Sequence, residues 1–170
     1  FNAMANALDS DIDNNLPSIA ALPLFRGLPE AALRAALRGS RLLELEKNQT
    51  FLTQGEAFGR FFILLDGAAK SFKSTEEGGE AVVQILNKRD CLVDMGILSG
   101  ISTLGAKTLA RTRLLALSLP VLREQSARNA TLAQNLLALT SGRLQKFVAH
   151  FEQITLRQAM QRVGWFFVNL

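Results

Sequence analysis

Two residues could act as soft ligands or proton carriers, and each stands alone: Cys91 is the one cysteine of the chain and His150 the one histidine. A lone thiol excludes an internal disulfide and any multi-cysteine zinc or iron–sulfur site. A lone imidazole is as restrictive, because a catalytic metal generally needs two or three histidine ligands converging. No Ser/His/Asp set can be assembled either, since the periodicity places His150 by itself on a long helix. Basic residues occur as Arg34, Arg38 and Arg41, then Lys107, Arg111 and Arg113, then Arg143 and Lys146, for a formal net charge of +4. Scattered in this way they read as a solvated surface; a nucleic-acid footprint would be denser on one element. These residues favour binding over turnover, so the chain is expected to be a cytoplasmic binding domain and not an enzyme.

The elements that must position any such site are set by a chain of 170 residues, 48% hydrophobic and 20% charged, enough for one domain with a core or one domain plus a fragment. Eleven Phe, one Trp and no Tyr commit aromatic surface to packing. No apolar run reaches the roughly 18 to 20 residues needed to span a bilayer, and no secretory signal is present. No membrane partner is expected.

Phe1-Asn2-Ala3 ahead of Met4 reads as a tag remnant, and polar, aperiodic residues 1–16 predict a mobile arm. Pro17-Ser18-Ile19-Ala20 opens a short helix carrying Leu22, Leu24 and Phe25, ended by Gly27. Pro29-Glu30 starts a second, with Leu33, Ala36 and Leu37 at helical spacing and Gly39 as its stop.

From Ser40 to about Leu119 short apolar stretches alternate with turn-formers. The stretches are Arg41–Leu45, Thr50–Thr53, Phe61–Leu65, Ala68–Phe72, Ala81–Leu86, Leu109–Ala110 and Leu114–Leu117. Such spacing predicts a mainly β sandwich or barrel, with the strongest hairpin signals at Asp66-Gly67 and Gly78-Gly79.

After Pro120 a brief helix, Val121–Arg128, precedes a long one from about Thr131 to Ile154. In it Ala133, Leu137, Thr140, Leu144, Phe147, Phe151 and Ile154 are spaced 4-3-4-3-4-3, an unbroken a/d seam. A second row, Leu132, Leu136 and Leu139, needs a partner of its own. One β-domain can bury only one of two separate faces, so the seam predicts a homodimer.

The order of two helices, β-roll, long seam helix and short helix resembles the Crp/Fnr superfamily of bacterial transcription regulators, from about Leu22 to Leu170. The residues carrying the resemblance are Leu22-Pro23-Leu24-Phe25, Thr53-Gln54-Gly55-Glu56, Phe61 through Gly67, Glu76-Glu77-Gly78 and Asp94 through Leu98. The end, Gly142-Arg143-Leu144-Gln145 through Phe167-Val168-Asn169-Leu170, aligns to the family's dimer helix and the helix after it. The fold so implied is mainly β with flanking helices: a double-stranded β-helix (jelly-roll), cyclic-nucleotide-binding-like, followed by a dimerisation helix. The expected divisions are 1–16, an arm; 17–130, the β-roll; 131–155, the dimerisation helix; and 156–170, the first helix of a truncated helix-turn-helix domain. The resemblance implies a homodimer with a small-molecule effector, the hinge near Thr155–Arg157 passing the signal on. DNA is then a partner of the full-length protein alone.

Members that bind cyclic nucleotide use a Gly-Glu pair and an Arg-Ser/Thr-Ala triplet to hold ribose and phosphate. This sequence has Val93-Asp94 and Leu104-Gly105-Ala106 there, and the purine-facing helix positions fall on Phe147 and Val148. Leu104 cannot pair with a phosphate. Loss of a bidentate arginine weakens binding by about 10²- to 10⁴-fold. The effector is therefore expected to be something other than cyclic AMP or cyclic GMP, or the pocket to be filled by Leu104 and Phe147. Two alternatives stay open: a haem-based sensor of carbon monoxide or nitric oxide, with Cys91 and His150 as the available ligands, and a genuine cyclic-nucleotide-binding regulator. The cysteine and histidine positions of the carbon-monoxide sensors fall on Val93 and Met95, which disfavours haem. No cofactor is firmly implied.

Overall fold

The computed structural model describes residues 11–57, 59–75, 78–92 and 99–168, with the backbone alone for 11, 150 and 153–168. Two compact units divide the chain at Asn135/Leu136.

The first unit opens with two short helices, α1 (Asp11–Asn14) and α2 (Leu16–Ala20), a 3-10 turn at Pro23–Phe25 and α3 (Glu30–Ala36). Helix α1 falls inside the stretch expected to be aperiodic, and Asp13 on it pairs with Arg34 of α3. The predicted helix through Phe25 is instead two pieces, because Pro23 has no N–H to continue the ladder and restarts the chain as a tighter turn. Pro29 caps α3 from an extended conformation (ψ 151°), and Glu30 in its first turn accepts from Arg34 one turn on, at 2.8 Å.

Eight strands follow: β1 (Arg41–Leu45), β2 (Thr50–Leu52), β3 (Arg60–Asp66), β4 (Ala69–Ser74), β5 (Glu80–Leu86), β6 (Cys91–Leu92), β7 (Gly105–Thr108) and β8 (Thr112–Ser118). They form two four-stranded antiparallel sheets, ordered β1-β8-β3-β6 and β2-β7-β4-β5. Leu45, Phe62, Leu64, Leu92, Leu114 and Ala116 of the first sheet pack against Phe51, Leu52, Ala69, Leu86 and Ala106 of the second. Phe51 and Phe62 meet edge-on across this core at 5.2 Å. The other face of the first sheet is buried too (Phe61, Ile63, Leu115 and Leu117), with α1 packed on β1 and a helix α4 (Leu119–Arg128) packed on β8 and α3. A strand buried on both faces shows a continuous apolar run, which is why Phe61–Leu65 has no alternation.

Two expectations about the strands are corrected. Leu109–Ala110 is not a strand; these residues bend, and the strand is Gly105–Thr108 just before them. Small and polar Gly105-Ala106-Lys107-Thr108 carries no apolar signature, and Leu109 takes its N–H to Ala68 O at 2.8 Å. Asp66-Gly67 is not a hairpin, because β3 and β4 lie in different sheets. It is the corner between them. Gly67 is needed there for its φ of +86° and because a Cβ would sit 2.4 Å from Arg111 O. Gly78-Gly79 does lie in the β4–β5 hairpin, where Thr75 N–H donates to Gly79 O at 2.9 Å.

Helix α5 (Ala130–Val168) is a single helix of 39 residues. Its start belongs to the first unit. Asn129 Oδ1 accepts from Leu132 N–H at 3.1 Å, capping the helix, and Asn135 Nδ2 donates to Leu24 O at 3.0 Å and Arg26 O at 2.8 Å. The remainder forms the second unit. Its backbone stays helical through Thr155-Leu156-Arg157, where a break was expected; no glycine or proline interrupts that stretch.

Candidate effector site

The predicted site centres on β7. Ser102 Oγ donates to Leu104 O at 2.6 Å and accepts from Leu104 N–H at 3.3 Å, fixing the turn that enters the strand. Leu104 is half-buried, while Gly105 and Ala106 are buried. The neighbouring strand β4 pairs Ser71 with Ala106 and Phe72 with Gly105. Strand alternation then sorts the faces: Ala69, Ser71 and Ala106 point inward with Leu86, and Lys70, Phe72 and Lys107 point outward.

On the outward face the Phe72 ring occupies the space above Gly105. A Cβ on Gly105 would lie 2.6 Å from Phe72 Cζ and 2.7 Å from Cε2. Lys107 and Lys70 place their Nζ atoms 5.3 and 5.8 Å from the ring centroid, and both pair with Glu80, at 2.7 and 2.8 Å. The hydrogen bond from Lys107, then that from Lys70, holds the Glu80 carboxyl below its ordinary value. Gly105, which falls at the Ser/Thr position of the triplet, therefore has an aromatic ring against it, and Lys70 and Lys107 both pair with Glu80.

Of the other predicted site residues, Val93 and Asp94 lie outside the described residues. Phe147 and Val148 are on α5, 60% and 46% exposed. On the predicted seam Leu137, Leu144 and Phe151 are 67%, 63% and 63% exposed, Ala133 and Thr140 are half-buried, and the Ile154 side chain is outside the described ones. Leu132 of the second row is buried. Cys91 is half-buried on β6 opposite Ile63; the His150 side chain lies outside the described ones. Among the described residues no group of three metal-binding side chains converges.

Sequence reasoning missed two residues at this site. Ser71, fully buried on β4, and Gln84, its register partner on β5, each carry a buried polar atom with no hydrogen-bond partner. The available signal was a polar residue at an inward position of each apolar stretch. Two recesses were also missed. One of about 360 Å³ is lined by Phe51, Leu52, Ala57 and Phe62 with Glu56 and Arg60. A polar one of about 520 Å³ includes Asn15, Ser18, Asp66, Lys88, Arg89 and Arg113.

Two facing four-stranded antiparallel sheets closed on a shared apolar core, with helices packed on the outer face of the first, define a jelly-roll-like β-roll. The sequence model described as the cyclic nucleotide-binding domain matches residues 42–129, just over half the chain. The chain belongs to the cyclic nucleotide-binding domain family. It is 33% identical over 104 residues to a cAMP-dependent protein kinase regulatory subunit of Mycosarcoma maydis, covering 57% of this chain and 19% of that one. It is 22% identical over 129 residues to a CRP-like cAMP-activated global transcriptional regulator of Mycobacterium tuberculosis, covering 75% of this chain and 58% of the relative. The chain thus spans less than two thirds of the length of these curated relatives. Among solved structures, the sensor domain of the transcriptional regulator DNR from Pseudomonas aeruginosa matches with a TM-score of 0.69 at 25% identity, over 82% of this chain and 95% of that one. The Thermus thermophilus Catabolite Activator Protein matches with a TM-score of 0.64 at 22% identity, over 78% and 63%. The mainly β, jelly-roll-like fold with flanking helices and the similarity to Crp/Fnr-type regulators stand as expected from the sequence. Among the described residues no helix is long and apolar enough to cross a membrane.

Proposed function

We propose that the chain is the sensor and dimerisation module of a cytoplasmic Crp/Fnr-type transcription regulator, not an enzyme, whose effector is neither cyclic AMP nor cyclic GMP. The observation that carries the second half is Leu104-Gly105-Ala106, where a phosphate-binding arginine is replaced by leucine and Phe72 packs on the glycine. Binding the singly charged cyclic phosphate without a paired cation forfeits the charge-assisted hydrogen bonds that make such sites tight. The exposed row Leu137, Leu144, Phe147 and Phe151 supports pairing of α5 with a second copy, since apolar side chains at seam spacing gain most by covering one another. DNA binding belongs to the full-length protein. A thermal-shift series with millimolar cyclic AMP and cyclic GMP tests the effector reading: a ligand that binds the folded state raises Tm, and no rise is expected.

A second reading, a genuine cyclic-nucleotide regulator, is favoured by the names of the kinase subunit and mycobacterial relatives, both of which include cAMP. A concentration-dependent rise in Tm in the same series establishes it. Haem binding through Cys91 and His150 is tested by adding haem to the purified chain; a Soret band with resolved axial ligation would support it, and none is expected.

A further inference from the structure

We infer that the polar recess beside α2 is a second binding site, one for a small organic anion with an apolar body. The recess is bounded by α2, the end of β3, the start of β8 and the β5–β6 turn, and its volume is about 520 Å³. Small-molecule sites run from about 300 to 1,000 Å³. Strand β7 belongs to the other sheet, so the recess is separate from the site built around Gly105. What fills that site does not bear on this one.

Three cations, Lys88, Arg89 and Arg113, line the recess with one carboxylate, Asp66. Lys88 Nζ stands 3.8 Å from Asp66 Oδ1, beyond hydrogen-bond range. Half-buried Arg113 is 3.6 Å from Glu44, and its Nη2 donates to Asn15 Oδ1 at 3.5 Å, which ties it to the α1–α2 junction. Among the described residues no carboxylate pairs with Arg89.

Arg89 also has a φ of +71°, a left-handed conformation in which glycine costs less than any side chain. The turn holds it there: Arg89 N–H donates to Leu64 O at 2.8 Å and Leu64 N–H to Asp90 O at 2.9 Å. A bulge in β3 sets Asp66 opposite Arg113 and leaves Leu65 out of the register, against the recess. Strain at the edge of a recess, with no ion pair to offset it, points to a ligand. Guanidinium groups suit a carboxylate or phosphate head, which each can grip through two N–H donors. Exposed Pro17 and Ala21 and half-buried Leu65 offer apolar surface to the same recess, so the complement is an anion on a carbon body and not a bare ion.

Benzoate and phenyl phosphate serve as probes, titrated calorimetrically at low ionic strength into the 170-residue chain, with inorganic phosphate in parallel. The variants are Arg89→Gly, Arg113→Gln and Lys73→Gln, the last removing an exposed cation of β4 that does not line the recess. Expected are saturable binding of at least one aromatic anion, tighter than that of inorganic phosphate, and a loss of about tenfold or more in Arg89→Gly and in Arg113→Gln. Glycine suits the left-handed turn, so Arg89→Gly removes the side chain without harm to the fold, and Arg113→Gln reads the same loss without touching the turn. Lys73→Gln should bind as the parent does. Preference for benzoate marks a carboxylate head, and preference for phenyl phosphate a phosphate. The inference is overturned if neither aromatic anion binds at millimolar concentration, if inorganic phosphate binds as tightly as they do, or if both arginine variants bind as the parent does. An equal loss in Lys73→Gln overturns it too, because general attraction to a basic surface would then account for the binding.

Discussion

Phe72 and Gly105 are register partners on β4 and β7, and the ring of the first fills the place where a side chain on the second would stand. The pairing predicts that Gly105→Ser, the substitution that would bring the triplet nearer to the nucleotide-binding form, destabilises the chain by about 1–3 kcal/mol through overpacking. Shortening the ring with Phe72→Leu in the same molecule should recover most of the loss. Urea denaturation of the two single variants and the double variant measures both effects.

Gly67→Ala is expected to be the more damaging glycine substitution. Its φ of +86° is disfavoured for alanine, and the new Cβ meets backbone, Arg111 O and Thr112 Cα, which cannot swing aside as a side chain can. A loss above about 3 kcal/mol, or failure to fold, is predicted by the same denaturation assay.

Leu144→Glu and Phe151→Glu place a charge on the exposed row of α5. If the row pairs two copies, each variant runs as a monomer in multi-angle light scattering while its far-UV circular dichroism stays unchanged. A parent that is itself monomeric at tens of micromolar, or a variant dimer as strong as the parent's, speaks against the seam.

Glu80 titrates between Lys107 and Lys70, and its folded value is depressed from the ordinary 4.5. A depressed carboxylate contributes stability above its unfolded value, and that contribution is lost as pH falls through the folded one. Carboxyl NMR should therefore give Glu80 a midpoint below 4.5. Lys107→Gln should move it upward more than Lys70→Gln, because the Lys107 hydrogen bond is the larger cause. Exposure of the cluster to solvent keeps the stability change small.

How much of this was legible in the sequence follows from which signals are local. Strand β1 falls where the apolar stretch Arg41–Leu45 puts it, and β3 and β8 lie within a residue or two of their stretches, since a continuous apolar run needs burial on both faces. Strand β7 was misplaced by a few residues because Gly105 through Thr108 pack by smallness, which hydrophobicity does not register. Strand β5 was legible as a strand, yet its Val82, Val83 and Ile85 are about half exposed at a sheet edge; sequence alone does not say which strand lies outermost. At the site, Leu104, Gly105 and Ala106 were found through their place in a motif. Ser71 and Gln84 were not: each is a polar residue at an inward position of an apolar stretch, but which positions point inward is settled only by the pairing of the strands.

Above all we propose that this β-roll keeps its family's shape without a cradle for a cyclic phosphate. Isothermal titration of cyclic AMP into the 170-residue chain at low ionic strength tests it most directly, because weak screening favours any residual charge recognition. No saturable heat is expected up to millimolar ligand; a sigmoidal isotherm with micromolar affinity, roughly one site per chain, would show that the cradle is intact.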